Sequence, residues 1–92
     1  MIKSFKHKGL KKLYTKGDTS GVIQNHVAKL RFILSTLNDA EDIQDMDYPG
    51  SDLHPLTGKL AGQYAVSVNG NWRIFFKFVD GDAFIVNYDD YH

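Results

Sequence analysis

From residue 63 onward the chain alternates. Tyr64, Val66 and Val68 interleave with Gln63, Ala65 and Ser67; Trp72, Ile74, Phe76 and Phe78 with Arg73, Phe75 and Lys77; Phe84, Val86 and Tyr88 with Ala83, Ile85 and Asn87. A period of two in runs rich in aromatic and β-branched residues predicts three strands. Between them lie Asn69-Gly70-Asn71 and Asp80-Gly81-Asp82, residue types that tight hairpins favour. Upstream the period changes. Leu10, Leu13 and Tyr14 fall at helical spacing and the pattern stops near Gly17. Ile23, Val27, Leu30, Leu34 and Leu37 then form one apolar stripe at steps of four and three. That stripe predicts a second helix, capped at Thr19 or Ser20 and ending near Asn38. Residues 2–7 read as a short strand. Residues 39–52 read as a polar, turn-rich surface loop that closes with Tyr48-Pro49-Gly50-Ser51.

Cross-strand partners must share a face of the sheet, so the alternation also predicts register. A two-residue Asn69-Gly70 turn would set Val66 against Arg73 and mix the faces. A three-residue loop at each hairpin instead pairs Val66 with Ile74 and Ile74 with Tyr88, and aligns Tyr64, Phe76 and Val86. One face is then wholly apolar, for the helices to cover. The other aligns Ser67, Arg73 and Asp89, with Tyr91 diagonal to Arg73. The parity rule is not carried to Asp90 and His92, where the chain leaves the sheet.

Ninety-two residues suit one domain spanning the whole chain, with a modest core. No apolar run is long enough to cross a membrane, the N-terminus lacks the apolar stretch of a signal peptide, and cysteine is absent. The expectation is a cytoplasmic globular domain without disulfides or thiolate chemistry. The net charge is zero, but the charges are segregated. Residues 1–16 carry six lysines (Lys3, Lys6, Lys8, Lys11, Lys12 and Lys16) and no acid. Residues 39–52 carry six acids and no base. A lysine arm of this density is a candidate phosphate-contacting surface; its plainer reading is a solvated helix face.

Several side chains could carry chemistry. Arg73 offers a fixed fork of donors suited to phosphate, on the face away from the core. The alternative is a cross-strand ion pair with Asp89 that needs no function. His54 precedes Pro55, which biases its backbone to an extended form, and the plain reading makes it a loop histidine against the sheet edge. The sequence finishes Asp89-Asp90-Tyr91-His92 directly after an apolar strand, so this tail is expected to be held in place. His92 carries an imidazole beside the terminal carboxylate, which favours the imidazolium and suits a general acid; a frayed terminus is the bland reading. Two histidines with Asp89 and Asp90 also admit a metal site, although no recognised ligand spacing supports one. His7 and His26 look incidental.

These residues, taken together, match a known family. Leu53-His54-Pro55-Leu56 with Gly58, Gly62 and Tyr64, then Asn71-Trp72-Arg73-Ile74, Gly81-Asp82-Ala83, Asn87-Tyr88 and the final Asp90-Tyr91-His92 closely resemble the HigB toxins of the RelE-like superfamily. Met1-Ile2-Lys3-Ser4-Phe5 and Lys8-Gly9-Leu10 are similar too, and only residues 39–52 match poorly.

The resemblance implies a RelE-like α+β fold, with two N-terminal helices packed on one face of a small, mainly antiparallel sheet. It implies the toxin of a type II toxin–antitoxin pair that cleaves mRNA in the aminoacyl site of the 70S ribosome and inhibits translation. The expected partners are a HigA-type helix-turn-helix antitoxin, ribosomal RNA and mRNA, with operator DNA reached only through the antitoxin and no membrane. No metal or other cofactor is implied: the 2′-hydroxyl attacks the adjacent phosphate. In that scheme Arg73 stabilises the phosphorane, Asp90 takes or orients the 2′-hydroxyl proton, His92 or His54 protonates the leaving 5′-oxygen, and Tyr91 stacks on a base or donates to phosphate. Lys3, Lys6, Lys8, Lys11, Lys12 and Lys59 are the candidate RNA and ribosome contacts. Two departures stand out. Thr57 replaces a residue that is often basic, leaving Lys59 as the nearest base, and the net charge of zero is low for such toxins. Thr57 is the feature that favours a second reading, a binding-only module acting with its antitoxin as a transcriptional co-repressor. A metal-dependent hydrolase is the third.

Overall fold

The alternating runs become strands where the periodicity places them. In the computed structural model, which describes residues 1–90, the strands are β1 (His54–Pro55), β2 (Gln63–Asn69), β3 (Trp72–Val79) and β4 (Asp82–Asp90). They form an antiparallel sheet in the order β1-β2-β3-β4. Two helices, α1 (Lys8–Lys16) and α2 (Val27–Asp39), supply Leu10, Leu13, Leu30, Ile33, Leu34 and Leu37 to one core with Val66, Ile74, Phe76, Val86 and Tyr88. Both helices cover the same face of the sheet, as expected of a RelE-like α+β fold.

Register agrees with the sequence-derived pairing, but the chain reaches it by another route. Val66 pairs with Ile74, Ile74 with Tyr88, Ser67 with Arg73, and Arg73 with Asp89. The loops are not three residues long. Asn69 pairs with Trp72 across a Gly70-Asn71 turn, and a bulge between Ser67 and Asn69 absorbs the extra residue. In the second hairpin Val79 pairs with Asp82 around Asp80-Gly81, both at positive φ (51° and 82°), as a type I′ turn requires.

The register shift of that hairpin occurs within the strands instead: Phe75 pairs with Asn87 but Lys77 with Phe84, so Ile85 and Val86 oppose Phe76. Ile85 takes φ 49° at this bulge. The bulge reassigns one face. Ala83, not Phe84, is fully buried ahead of it, and Val86 and Tyr88 are buried beyond it. Strict alternation through Phe84, Val86 and Tyr88 therefore fails, because an extra residue inverts the parity on one side of a bulge.

The N-terminal segment lies parallel to the free edge of β4 as two isolated bridges, Ile2 to Ala83 and Phe5 to Val86, rather than a full strand. The Met1 ammonium donates to the Gly81 carbonyl at 2.7 Å and lies 3.6 Å from an Asp82 carboxylate oxygen. The first helix ends where the sequence predicts, on Gly17 at φ 71°.

The second helix starts later than predicted. Neither Thr19 nor Ser20 caps it: residues 24–26 form a 3₁₀ turn, and the Asp18 carboxylate accepts the Ser20 N–H at 2.9 Å. Ile23 is exposed, and Ile33 joins the buried stripe in its place. A close approach explains the delay. A Cβ on Gly9 would lie 2.3 Å from the Gly21 carbonyl oxygen, so the connection is pressed against α1 before the second helix can begin.

Residues 39–52 are also more than a surface loop. A 3₁₀ turn (Ile43–Met46), closed by reciprocal bonds between Asp42 and Asp45, buries Met46 completely. Its acids satisfy local backbone donors while its apolar residues seal the end of the core.

Candidate active site

The uncovered face of the sheet holds the candidate chemistry. His54 pairs with Ala65, Ala65 with Phe75, and Phe75 with Asn87; Ser67, Arg73 and Asp89 occupy the next level of the same face. Three strands and the short edge strand β1 thus bring His54 and Arg73 to one surface. Strand spacing of about 4.8 Å and rise of about 3.3 Å per residue put their backbones roughly 12 Å apart, leaving room for a phosphodiester between the side chains. Pro55 suits the edge, where no ladder donor is needed.

Arg73 is held by one corner of its fork. Its Nη1 donates to the Gly70 carbonyl at 2.7 Å and the Trp72 carbonyl at 3.1 Å, with the Ser67 hydroxyl at 3.5 Å. Its Nε is buried and has no partner among the described residues. Among the described residues, no carboxylate lies within 4.0 Å of the guanidinium, the Met1–Asp82 contact being the ion pair found there. The cross-strand pair with Asp89 therefore does not form, although the two residues face each other in register. Asp89 instead accepts the backbone N–H of Asp90 at 2.8 Å. The Arg73 guanidinium keeps donors to spare where an anion would need them.

His54 bonds through Nδ1 to the Asp52 carbonyl at 2.9 Å. A carbonyl only accepts, so Nδ1 carries the proton and Nε2 is the atom left for proton transfer. Asp90 pairs with Trp72 and so falls on the alternate side of the ladder from Arg73, with an exposed side chain. Tyr91 and His92 lie outside the described residues. The lysines divide. Lys6 lines a hollow on the site face, Lys3 is exposed on the N-terminal segment, and Lys8, Lys11 and Lys12 are exposed on α1. Lys59 and Thr57 are exposed in the loop that follows β1.

One feature the sequence concealed lies just behind this face. The Tyr88 phenol approaches the buried His26 imidazole at 2.5 Å from Nδ1, and the Ile23 backbone N–H donates to the same oxygen. Trp72 stacks on Tyr88 with centroids 4.6 Å apart, and His7 meets its ring edge-on at 5.4 Å while accepting the Leu10 N–H. Burial raises the Tyr88 pKa, so the phenol keeps its proton. His7 and His26 are thus the backing of the Trp72–Arg73 strand and not incidental. Periodicity could not find them, since each precedes the helix it serves.

The site face also carries a hollow of about 260 Å³, lined by Leu56, Leu60, Phe75 and Ile85 together with Gln63, Asn87 and Lys6.

Known proteins resemble this chain in both sequence and fold. Residues 3–92 match the family described as RelE-like toxin of the type II toxin–antitoxin system HigB. The curated protein Endoribonuclease HigB of Proteus vulgaris is 48% identical over 92 residues, covering 100% of both chains. Among solved structures, a chain of the YoeB–YefM complex from Staphylococcus aureus superposes with TM-score 0.64 at 16% identity, covering 100% of this chain and 95% of its own. YafQ from E. coli does so with TM-score 0.58 at 16% identity, covering 98% and 91%. No helix among the described residues is long and apolar enough to cross a membrane. With a full-length sequence match and the RelE-like fold in agreement, the chain belongs to the HigB family of RelE-like toxins of type II toxin–antitoxin systems.

Proposed function

We propose that this toxin is an endoribonuclease that cuts mRNA in the aminoacyl site of the 70S ribosome, and that Arg73 is the centre of its site. The observation that carries this reading is a guanidinium on the open sheet face that, among the described residues, bonds through Nη1 alone and meets no carboxylate to neutralise it. Such a group is ready to bind a phosphate and to favour the extra charge of a phosphorane. The 2′-hydroxyl oxygen forms a bond to phosphorus as the bond to the 5′-oxygen breaks, giving a 2′,3′-cyclic phosphate and a 5′-hydroxyl. This displacement needs a base, an acid and charge stabilisation, and no metal.

His54 stands on the same face with Nε2 outside the Nδ1–Asp52 bond, and in its doubly protonated form it suits the transfer of a proton to the leaving 5′-oxygen, a role that His92 shares on sequence grounds. Asp90 is the family-position base. Asp89, directly across from Arg73, is the carboxylate whose position the register favours for orienting it. Tyr91 is assigned to base stacking or phosphate contact. Lys3, Lys6, Lys8, Lys11, Lys12 and Lys59 supply sequence-independent contacts to RNA, split between the site face and the outer side of α1. The antitoxin is of the HigA helix-turn-helix type and carries the operator contacts.

Cleavage of a defined mRNA by the purified chain, with and without programmed ribosomes, tests the reading. Cutting should need ribosomes, survive chelator, and fall roughly 100- to 1000-fold in Arg73→Ala. A folded wild type that cuts nothing would favour the binding-only module, with the exposed Thr57 as the position to replace by lysine.

A further inference from the structure

We infer that the hollow beside Arg73 is a base-reading subsite: it takes one nucleobase of the bound mRNA, and the Gln63 and Asn87 amides select that base. This rests on reading the site as an RNA-cleaving one, and it goes further by saying where codon preference arises.

Position comes first. Asn87 stands on the site face one level along the strands from the Ser67–Arg73–Asp89 row, and Gln63, opposite Lys77, stands one level further on. Two residues of strand span about 6.6 Å, the scale of one nucleotide step in an extended chain. A phosphate held by Arg73 therefore delivers a neighbouring base to the hollow.

Chemistry comes second. The walls are apolar, from Leu56, Leu60 and Ile85, and suit the faces of a flat ring. A volume of about 260 Å³ is below the ~300–1,000 Å³ of ordinary ligand pockets and fits a single ring system. Two half-buried amides at the margin present both donors and acceptors, as a base edge does, and neither side chain is engaged by a hydrogen bond among the described residues. Lys6, exposed and also lining the hollow, supplies a cation for a neighbouring phosphate.

Strain is the third and independent observation. Ile85 sits at φ 49°, a conformation costly to a β-branched residue, in the bulge of β4. The bulge does two things at once: it turns Ile85 out to form a wall of the hollow, and it brings Asn87 onto the face of Arg73. Strain of this kind concentrates at functional sites.

The test is single-turnover cleavage on ribosomes carrying, one at a time, a set of different codons in the aminoacyl site. Wild type is compared with Gln63→Leu, Asn87→Leu and the double variant. The spread of rates between the best and the poorest codon should shrink by roughly tenfold, mainly through slower cutting of the best one. Gln63→Glu and Asn87→Asp, which exchange a donor for an acceptor, should reorder the codons instead of levelling them, and they cover the case of leucine variants that do not fold. An unchanged codon profile in folded variants, or an equal slowing of every codon, would overturn the subsite while leaving the ribonuclease reading intact. A wild type that cuts nothing overturns both.

Discussion

The two faces of one sheet have opposite fates. On the helix side Val66, Ile74, Phe76, Val86 and Tyr88 are buried, and even the polar atoms of His26 and Tyr88 are bonded to each other. On the open side Arg73 has an Nε unpartnered among the described residues, Asp89 fails to neutralise it, and the Gln63 and Asn87 amides border a hollow. Stability is concentrated on one face and unspent bonding capacity on the other. Neighbouring residues of a single strand, such as Trp72, Arg73 and Ile74, serve both.

That division should be open to attack one face at a time. The largest effect is expected from Phe76→Ala on the covered face, which should lower unfolding free energy by about 3–5 kcal/mol in a denaturant titration. Arg73→Ala on the open face should do the reverse, removing cleavage while shifting stability by no more than about 0.5 kcal/mol. A large loss of stability there would mean that the guanidinium is structural. Tyr88→Phe probes the boundary. It strips the partner from His26 Nδ1 and the Ile23 N–H, so a loss of about 1–3 kcal/mol is expected, with ribosome-dependent cutting retained by the folded fraction.

The smallest effect concerns Tyr48, whose buried hydroxyl lacks a partner and whose pKa burial pushes up to about 12. The folded state keeps this proton where the unfolded chain releases it above about pH 10. Stability should therefore fall as pH rises from about 10 to 12. Tyr48→Phe should flatten that part of the profile without weakening the protein at neutral pH, and an unchanged alkaline loss would assign it to other groups.

Much of this organisation was legible beforehand. Helical spacing located α1, and alternation together with the same-face rule paired Ser67, Arg73 and Asp89 correctly. The motifs around His54-Pro55 and Trp72-Arg73 led to the right family. Where the reading failed, a tertiary contact had overridden a local signal. The Gly9–Gly21 approach displaced the start of α2, and the core took Met46 out of an acidic segment. The bulge at Ile85 exchanged Phe84 for Ala83 on the buried face. His26 was overlooked because its partner, Tyr88, is far away along the chain.

By itself the sequence determined the elements, the covered face, the register opposite Arg73 and the toxin family, because periodicity and motif spacing are local properties of the chain. Tertiary structure alone decided that Arg73 goes without Asp89, that His26 backs the site strand, and that a strained bulge lines a hollow with Gln63 and Asn87. Those outcomes depend on where side chains distant in sequence find their partners, and on which donors and acceptors remain once packing is complete.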